Sequence, residues 1–378
     1  MLEQATSTEW RHEALASRSI VSARLGRHEA ALADAQAAIS LAPQHAGGHF
    51  TLAFSYFKRG DTTATRASLA QAQALPVPPN LTDNELTPAQ YEAKWLGAVA
   101  VLRMALGAAD SGSANGTADL ELAVTLLERA AALDPANKQH RQRLAQAHYQ
   151  AGKAAQGRGE LAAALAAFQR AVAADPSHGL AHNSCGVVLL QQGKDDAALR
   201  CFQRAAQLRP EDKAIGANVA ATEGHLALQG GNHVAAAACF QRAAELRPDD
   251  MVVAANVACA EGHLALQGGN HAAAAACFQR AVELQPANAT YRQNLASAQQ
   301  GVAKAAAAQG EAAMERRDYA AAAAAFARAN QLSPCEHYQQ RHAKALKKLN
   351  KGDGPSAGQI MFGIARVGIA IATAGAIR

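Results

Sequence analysis

The sequence predicts an all-α fold, a solenoid of about eight helical hairpins wound into a right-handed superhelix. Three observations carry that expectation. First, residues 217–247 (ANVAATEGHLALQGGNHVAAAACFQRAAELR) return at 255–285 (ANVACAEGHLALQGGNHAAAAACFQRAVELQ), 38 residues on, with 26 of 31 positions identical. Self-similarity at such a period marks units that cannot bury an apolar face alone, so neighbours must stack. Second, prolines at 135, 176, 210, 248, 286 and 334 close successive units. Each of the last five follows a Phe eight residues earlier (168, 202, 240, 278, 326) and a Gly twenty-four residues earlier (152, 186, 224, 262, 310). Third, 49% of residues are hydrophobic but only 4% are aromatic. Ala, the strongest helix former, dominates, which suits thin core layers between closely approaching helices.

The elements follow in order. Residues 12–45 read as a first hairpin, with Gly26 as its turn and Pro43 closing it; residues 46–79 read as a second, turning at Gly60. Four prolines in 76–88 cannot continue a helix and make that stretch a linker. A break there would set an N-terminal pair of repeats, 12–79, apart from an array over 88–336. Thr87 before Pro88 reads as an N-cap. Residues 110–119 (DSGSANGTAD) read as a flexible loop before the next helix. Residues 336–350 read as a basic helix capping the array, since a solenoid needs a solvated end.

The spacing Ala198, Phe202, Ala205, Pro210, repeated as Ala236, Phe240, Ala243, Pro248, resembles the tetratricopeptide repeat, a 34-residue helix–turn–helix. The resemblance covers roughly residues 12–336 and is weakest in the third unit, where Leu127 stands in place of the Phe. It implies that the first helix of each hairpin, helix A, lines a concave groove. The intervals between closing prolines are 41, 34, 38, 38 and 48. Over 34 these leave 7, 0, 4, 4 and 14 residues, close to whole helical turns at about 3.6 residues each. Elongated A helices, the longest over about 290–315, are therefore expected rather than inserted loops.

Charge argues against a nucleic-acid partner. The net +5 comes from residues 336–351, where Arg341, Lys344, Lys347, Lys348 and Lys351 face only Glu336, and from +1 in the tail; residues 1–335 balance to zero. A basic stripe along the array is absent. Six cysteines lack any CxxC pair, and Cys201, Cys239 and Cys277 share one register before the repeat Phe. They read as reduced packing thiols, which points to a reducing, cytoplasmic compartment. The N-terminal segment resembles neither a secretory nor a transit peptide. No catalytic, cofactor or metal pattern stands. GVVLLQQGKD (186–195) has the wrong spacing for a phosphate loop, and His12-Glu13 and His28-Glu29 lack the second His of a zinc protease.

The candidate site is a ladder. Asn218, Asn256 and Asn294 fall at one register of three successive A helices, and His225 and His263 follow two of them by seven residues. An amide offers both donor and acceptor to an extended peptide. The similar arrays of the O-linked sugar transferases imply such a use of Asn here; a purely structural use, bonding to neighbouring helices, is the alternative. Ser17, Gly47 and Thr51 are neutral where co-chaperones that clamp acidic chaperone termini carry Asn, Lys and Arg, so that clamp is not expected at residues 12–79. The function expected is thus a non-enzymatic scaffold or adaptor holding a protein or peptide partner in the groove of residues 138–315.

Residues 352–378 form an apolar Gly/Ala/Ile-rich tail, with one charge, Arg366, between Ile360 and Ile377. That charge and the short span argue against a membrane-crossing segment. Self-association or assembly into a large complex through this tail, at a membrane surface in one version, is the alternative function.

Overall fold

The computed structural model describes residues 2–77 and 86–351, without the side chains of 2–7 and 9. The apolar tail and most of the 76–88 linker therefore lie outside the described residues. Within them the chain forms seventeen helices and no strand. The described residues divide into two compact units, the first ending at residue 211 and the second beginning at residue 212.

The first unit holds five hairpins: α1 (Leu2–Arg24) with α2 (His28–Leu41), α3 (Ala46–Arg59) with α4 (Thr62–Ala74), α5 (Pro88–Ala109) with α6 (Ala114–Leu133), α7 (Lys138–Gly157) with α8 (Leu161–Ala174), and α9 (Gly179–Gln191) with α10 (Asp195–Leu208). The second holds α11 (Lys213–Gln229) with α12 (His233–Leu246), α13 (Met251–Gln267) with α14 (His271–Leu284), α15 (Ala289–Glu315) with α16 (Tyr319–Leu332), and then α17 (Glu336–Asn350). No helix among the described residues is long and apolar enough to cross a membrane.

Each later hairpin is closed by the same contact. Phe168, Phe202, Phe240, Phe278 and Phe326 are fully buried, each against the Gly sixteen residues before it. A Cβ added to Gly152, Gly186, Gly224, Gly262 or Gly310 would lie between 2.6 and 2.9 Å from the ring. Only Gly lets helix A approach the aromatic so closely. Helix B is constant: α8, α10, α12, α14 and α16 are each 14 residues long. The paired A helices α7, α9, α11, α13 and α15 span 20, 13, 17, 17 and 27 residues. Relative to α9 they are longer by 7, 0, 4, 4 and 14 residues, and residues 300–309 are helix throughout.

Side-chain caps fix where the helices begin. Asn232, Asn270 and Asp318 each accept the backbone N–H three residues on, at the starts of α12, α14 and α16. Thr87 closes a capping box with Gln90 at the start of α5.

Two elements differ from the sequence reading. Helix α1 begins at Leu2, ten residues ahead of the expected hairpin. Residues 114–119 are helix rather than loop. Ser113 accepts from Gly116 N–H at 3.0 Å, and Asp119, 2% exposed, is gripped by Arg103 at 2.6 Å and Arg66 at 2.7 Å. Arg103 also donates to Gln73 at 2.6 Å. This buried network, with a core of Ala53, Leu69, Val99, Leu102 and Leu106, packs α3 and α4 onto α5 across the 76–88 linker.

Candidate functional site

All five ladder residues lie in the second unit, on α11, α13 and α15. The 38-residue period places the histidines first. His225 sits one residue beyond Gly224 and meets Phe240 edge-on, with ring centroids 5.1 Å apart at 79°. His263 meets Phe278 in the same way, at 5.1 Å and 77°. Each ring is thus held by its own hairpin's core.

The asparagines join one hairpin to the next. Asn256 Nδ2 lies 3.4 Å from His225 Nε2, and Asn294 Nδ2 lies 3.2 Å from His263 Nε2. An amide NH2 can only donate, so in these contacts each Nε2 is the acceptor. Asn294 also points its NH2 at Cys259 Sγ, 3.7 Å away. Burial, and then the neighbouring His233, hold His263 below the ordinary imidazole range. The rings of His233 and His263 stack at 5.2 Å and 10°. One repeat on, His271 faces Gly301, where a Cβ would lie 2.4 Å from its Nδ1.

The three asparagines are not equivalent. Asn256 is 6% exposed, and its Oδ1 accepts the hydroxyl of Tyr291. Tyr291 is buried, which pushes its phenol up to about 12 and keeps it a donor. Asn256 is therefore bonded on both sides and orients His225. Asn218 and Asn294 are half-buried. Tyr291 was not singled out in the sequence. Its signal is a polar aromatic in the register otherwise filled by Ile215 and Val253, three residues before each Asn.

The thiols sit in the packing layers. All six are free; Cys185 and Cys259 are buried, and Cys201, Cys239 and Cys277 are partly so. Burial pushes Cys185 up to about 12 and Cys259 to about 11, which leaves them unreactive. Among the described residues no cluster of His, Cys, Asp and Glu could hold a metal ion.

Tetratricopeptide-repeat family models match residues 149–213 and 255–288, the second covering most of α13 and all of α14. Those two segments are tetratricopeptide repeats. Among solved structures it is similar to pilF of Pseudomonas aeruginosa, at 14% identity and a TM-score of 0.39, over 65% of this chain and 96% of that one. It is similar to YrrB, described as a tetratricopeptide-repeat protein with an unusual peptide-binding site, at 21% identity and a TM-score of 0.36, over 51% and 90%. The tetratricopeptide domain of P58(IPK) is similar at 13% identity and a TM-score of 0.28, over 90% and 99%. No curated protein matches the sequence significantly.

Proposed function

We propose that the chain is a non-enzymatic adaptor that holds an extended segment of a protein partner against the A helices α11, α13 and α15. Repeats of this family give it a role in protein–protein interaction. The observation that carries the finer reading is the Asn–His seam. On otherwise Ala-rich helices, half-buried Asn218 and Asn294 recur at one register, and half-buried His225 and His263 recur seven residues after Asn218 and Asn256. An amide offers a donor and an acceptor, and each imidazole, its Nε2 taken by the next hairpin's Asn, offers its other ring nitrogen as a donor; together these can meet the N–H and C=O groups of an extended backbone without selecting its side chains. Asn218, Asn294, His225 and His263 would touch the segment, and Asn256 would act from within by fixing His225.

The test is an affinity capture with full-length protein, comparing wild type with Asn218→Ala and Asn294→Ala combined. Asn256 is kept, because its loss would disturb packing. Gln241→Ala, on the exposed side of α12, serves as the control. A partner lost from the double variant alone, with helical content and melting unchanged, supports the seam as the binding surface. The same partners on all three proteins would make the ladder structural.

A further inference from the structure

The turn that opens α9 follows a pattern found twice in the first unit. Pro43, His45 and His49 lead into α3, and Pro176, His178 and His182 lead into α9 with the same spacing. In both, the second histidine bonds the proline carbonyl through Nε2, His49 to Pro43 and His182 to Pro176, each at 3.1 Å. In both, the first histidine is the N-cap. Gly47 N–H donates to His45 Nδ1 at 3.2 Å, and Ala181 N–H donates to His178 Nδ1 at 3.1 Å. In both, that same ring reaches back to the preceding helix A. His45 Nδ1 lies 2.9 Å from His12 Nε2 on α1, and His178 Nε2 lies 3.1 Å from Gln146 Oε1 on α7. The A helices α5, α7, α11, α13 and α15 are capped instead by Thr87, Asn137, Asp212, Asp250 and Asn288.

At α3 the ring's partner is a second imidazole, so a proton can sit on either. At α9 one titrating ring makes both bonds, and the bonds fix its hydrogen. A backbone N–H can only donate, so His178 Nδ1 holds the lone pair; a carbonyl oxygen can only accept, so Nε2 carries the hydrogen. A proton added to Nδ1 would set two donors face to face and place a cation at the positive end of the α9 dipole. The ring is half-buried. Tyr149 on α7 packs against it, with centroids 5.1 Å apart. Its charged and titratable neighbours are Asp175 in the turn, His182 on α9 and Arg209 at the end of α10. Arg209 lies over the start of α9, where a Cβ on Gly179 would be 2.8 Å from its Cγ. Burial holds His178 below the ordinary imidazole range; His182 and Arg209 act with it, and Asp175 acts against it.

We propose that His178 is a proton-operated latch on the junction of the fourth and fifth hairpins: the neutral ring caps α9 and ties it to α7, and one added proton releases both. The latch is closed at neutral pH. Its contribution to stability shrinks once the pH drops below about 6.5 and is gone below the lowered native value of the ring. It uses none of the ladder residues and stands whether or not the ladder holds a peptide.

The test is hydrogen–deuterium exchange of the full-length protein at about pH 7.5 and about pH 5, on either side of histidine titration, corrected for the intrinsic pH dependence of amide exchange. Protection of residues 179–183 should fall about fivefold in acid, the loss of a cap worth about 1 kcal/mol. Residues 289–293 are the internal control. They open α15, whose cap Asn288 accepts from Thr290 and Tyr291 N–H and carries no titrating group. Their protection should not change. His178→Asn, an equally good cap that does not titrate, should keep 179–183 protected at both pH values. His178→Ala should show the acid level at both. In the 15N spectrum of histidine-labelled protein at neutral pH, the ring signals that vanish in His178→Asn should report hydrogen on Nε2. An equal acid loss at 179–183 and 289–293, the same acid loss in His178→Asn, or hydrogen on Nδ1 would overturn the latch.

Discussion

Asn294 donates to His263 across the junction of two hairpins, at 3.2 Å. Asn256 donates to His225 38 residues earlier, at 3.4 Å. In each case the imidazole rests on its own hairpin's Phe and the amide comes from the next helix A. The contact is therefore a polar fastening placed against a buried aromatic.

Asn256→Ala should be the most costly of the ladder substitutions. It strands the buried hydroxyl of Tyr291 and the acceptor of His225 together. The expected loss is about 1–3 kcal/mol, read as a shift of the urea midpoint at unchanged slope. Asn294→Ala, half-exposed, should cost less. An Asn256→Ala protein as stable as wild type would show that the amide contributes nothing to the junction.

Gly262→Ala should destabilise the second unit by about 1–3 kcal/mol through overpacking, because its Cβ would lie 2.6 Å from Phe278 Cε1. Adding Phe278→Leu should restore part of the loss, since it removes the ring edge that collides. Urea denaturation of the single and double variants checks this; strict additivity would refute the contact as the cause.

Arg317 sits at φ 60°, where the corresponding turns use Gly159, Gly193, Gly231 and Gly269 at 71–78°. A side chain in the left-handed region costs about 1–2 kcal/mol. Arg317→Gly should therefore raise stability, by about 1 kcal/mol or less once the added freedom of the unfolded chain is counted. A lower melting temperature for this variant would show that Arg317 makes an interaction worth more than the strain.

Stability should fall on mild acidification. Burial holds His45, His140, His148, His178 and His263 below the ordinary value of 6.5. The unfolded chain therefore binds more protons than the native one once the pH drops below that value. Native stability is complete above about 6.5 and is lost as pH falls from there toward the lowered native values. The lowered Asp175 and Glu160 act in a separate, more acidic window. Thermal unfolding midpoints between pH 7.5 and 5, roughly the range of histidine titration, should decline, and His263→Gln should flatten the decline. Midpoints constant over that range would contradict it.

Much of the repeat was legible because it rests on local spacing. The Gly and Phe lie sixteen residues apart on adjacent helices, and the closing Pro fixes the phase, so periodicity alone locates hairpins. The ladder's register was legible for the same reason. What each amide does was not. The bond from Tyr291 to Asn256 and the stacking of His233 on His263 depend on residues thirty or more positions apart, in contacts that do not recur: the same register holds Ile215 and Val253, or Gly301. Residues 114–119 were misread because Ser, Asn and Gly look like a loop. The helix there is started by the local Ser113 cap and held by the burial of Asp119 between Arg66 and Arg103, 53 and 16 residues away.

The A helices of 13, 17, 20 and 27 residues set a grain size for change in this chain. Each residue turns a helix by roughly 100°, so a four-residue insertion ahead of the Gly returns the seam to almost the same bearing, while a two-residue insertion swings it to the opposite side. Length and aim are thus separately adjustable. A lineage of such chains can grow or shorten its hairpins in quanta of one turn, varying the reach of each rung while the direction in which it points is conserved.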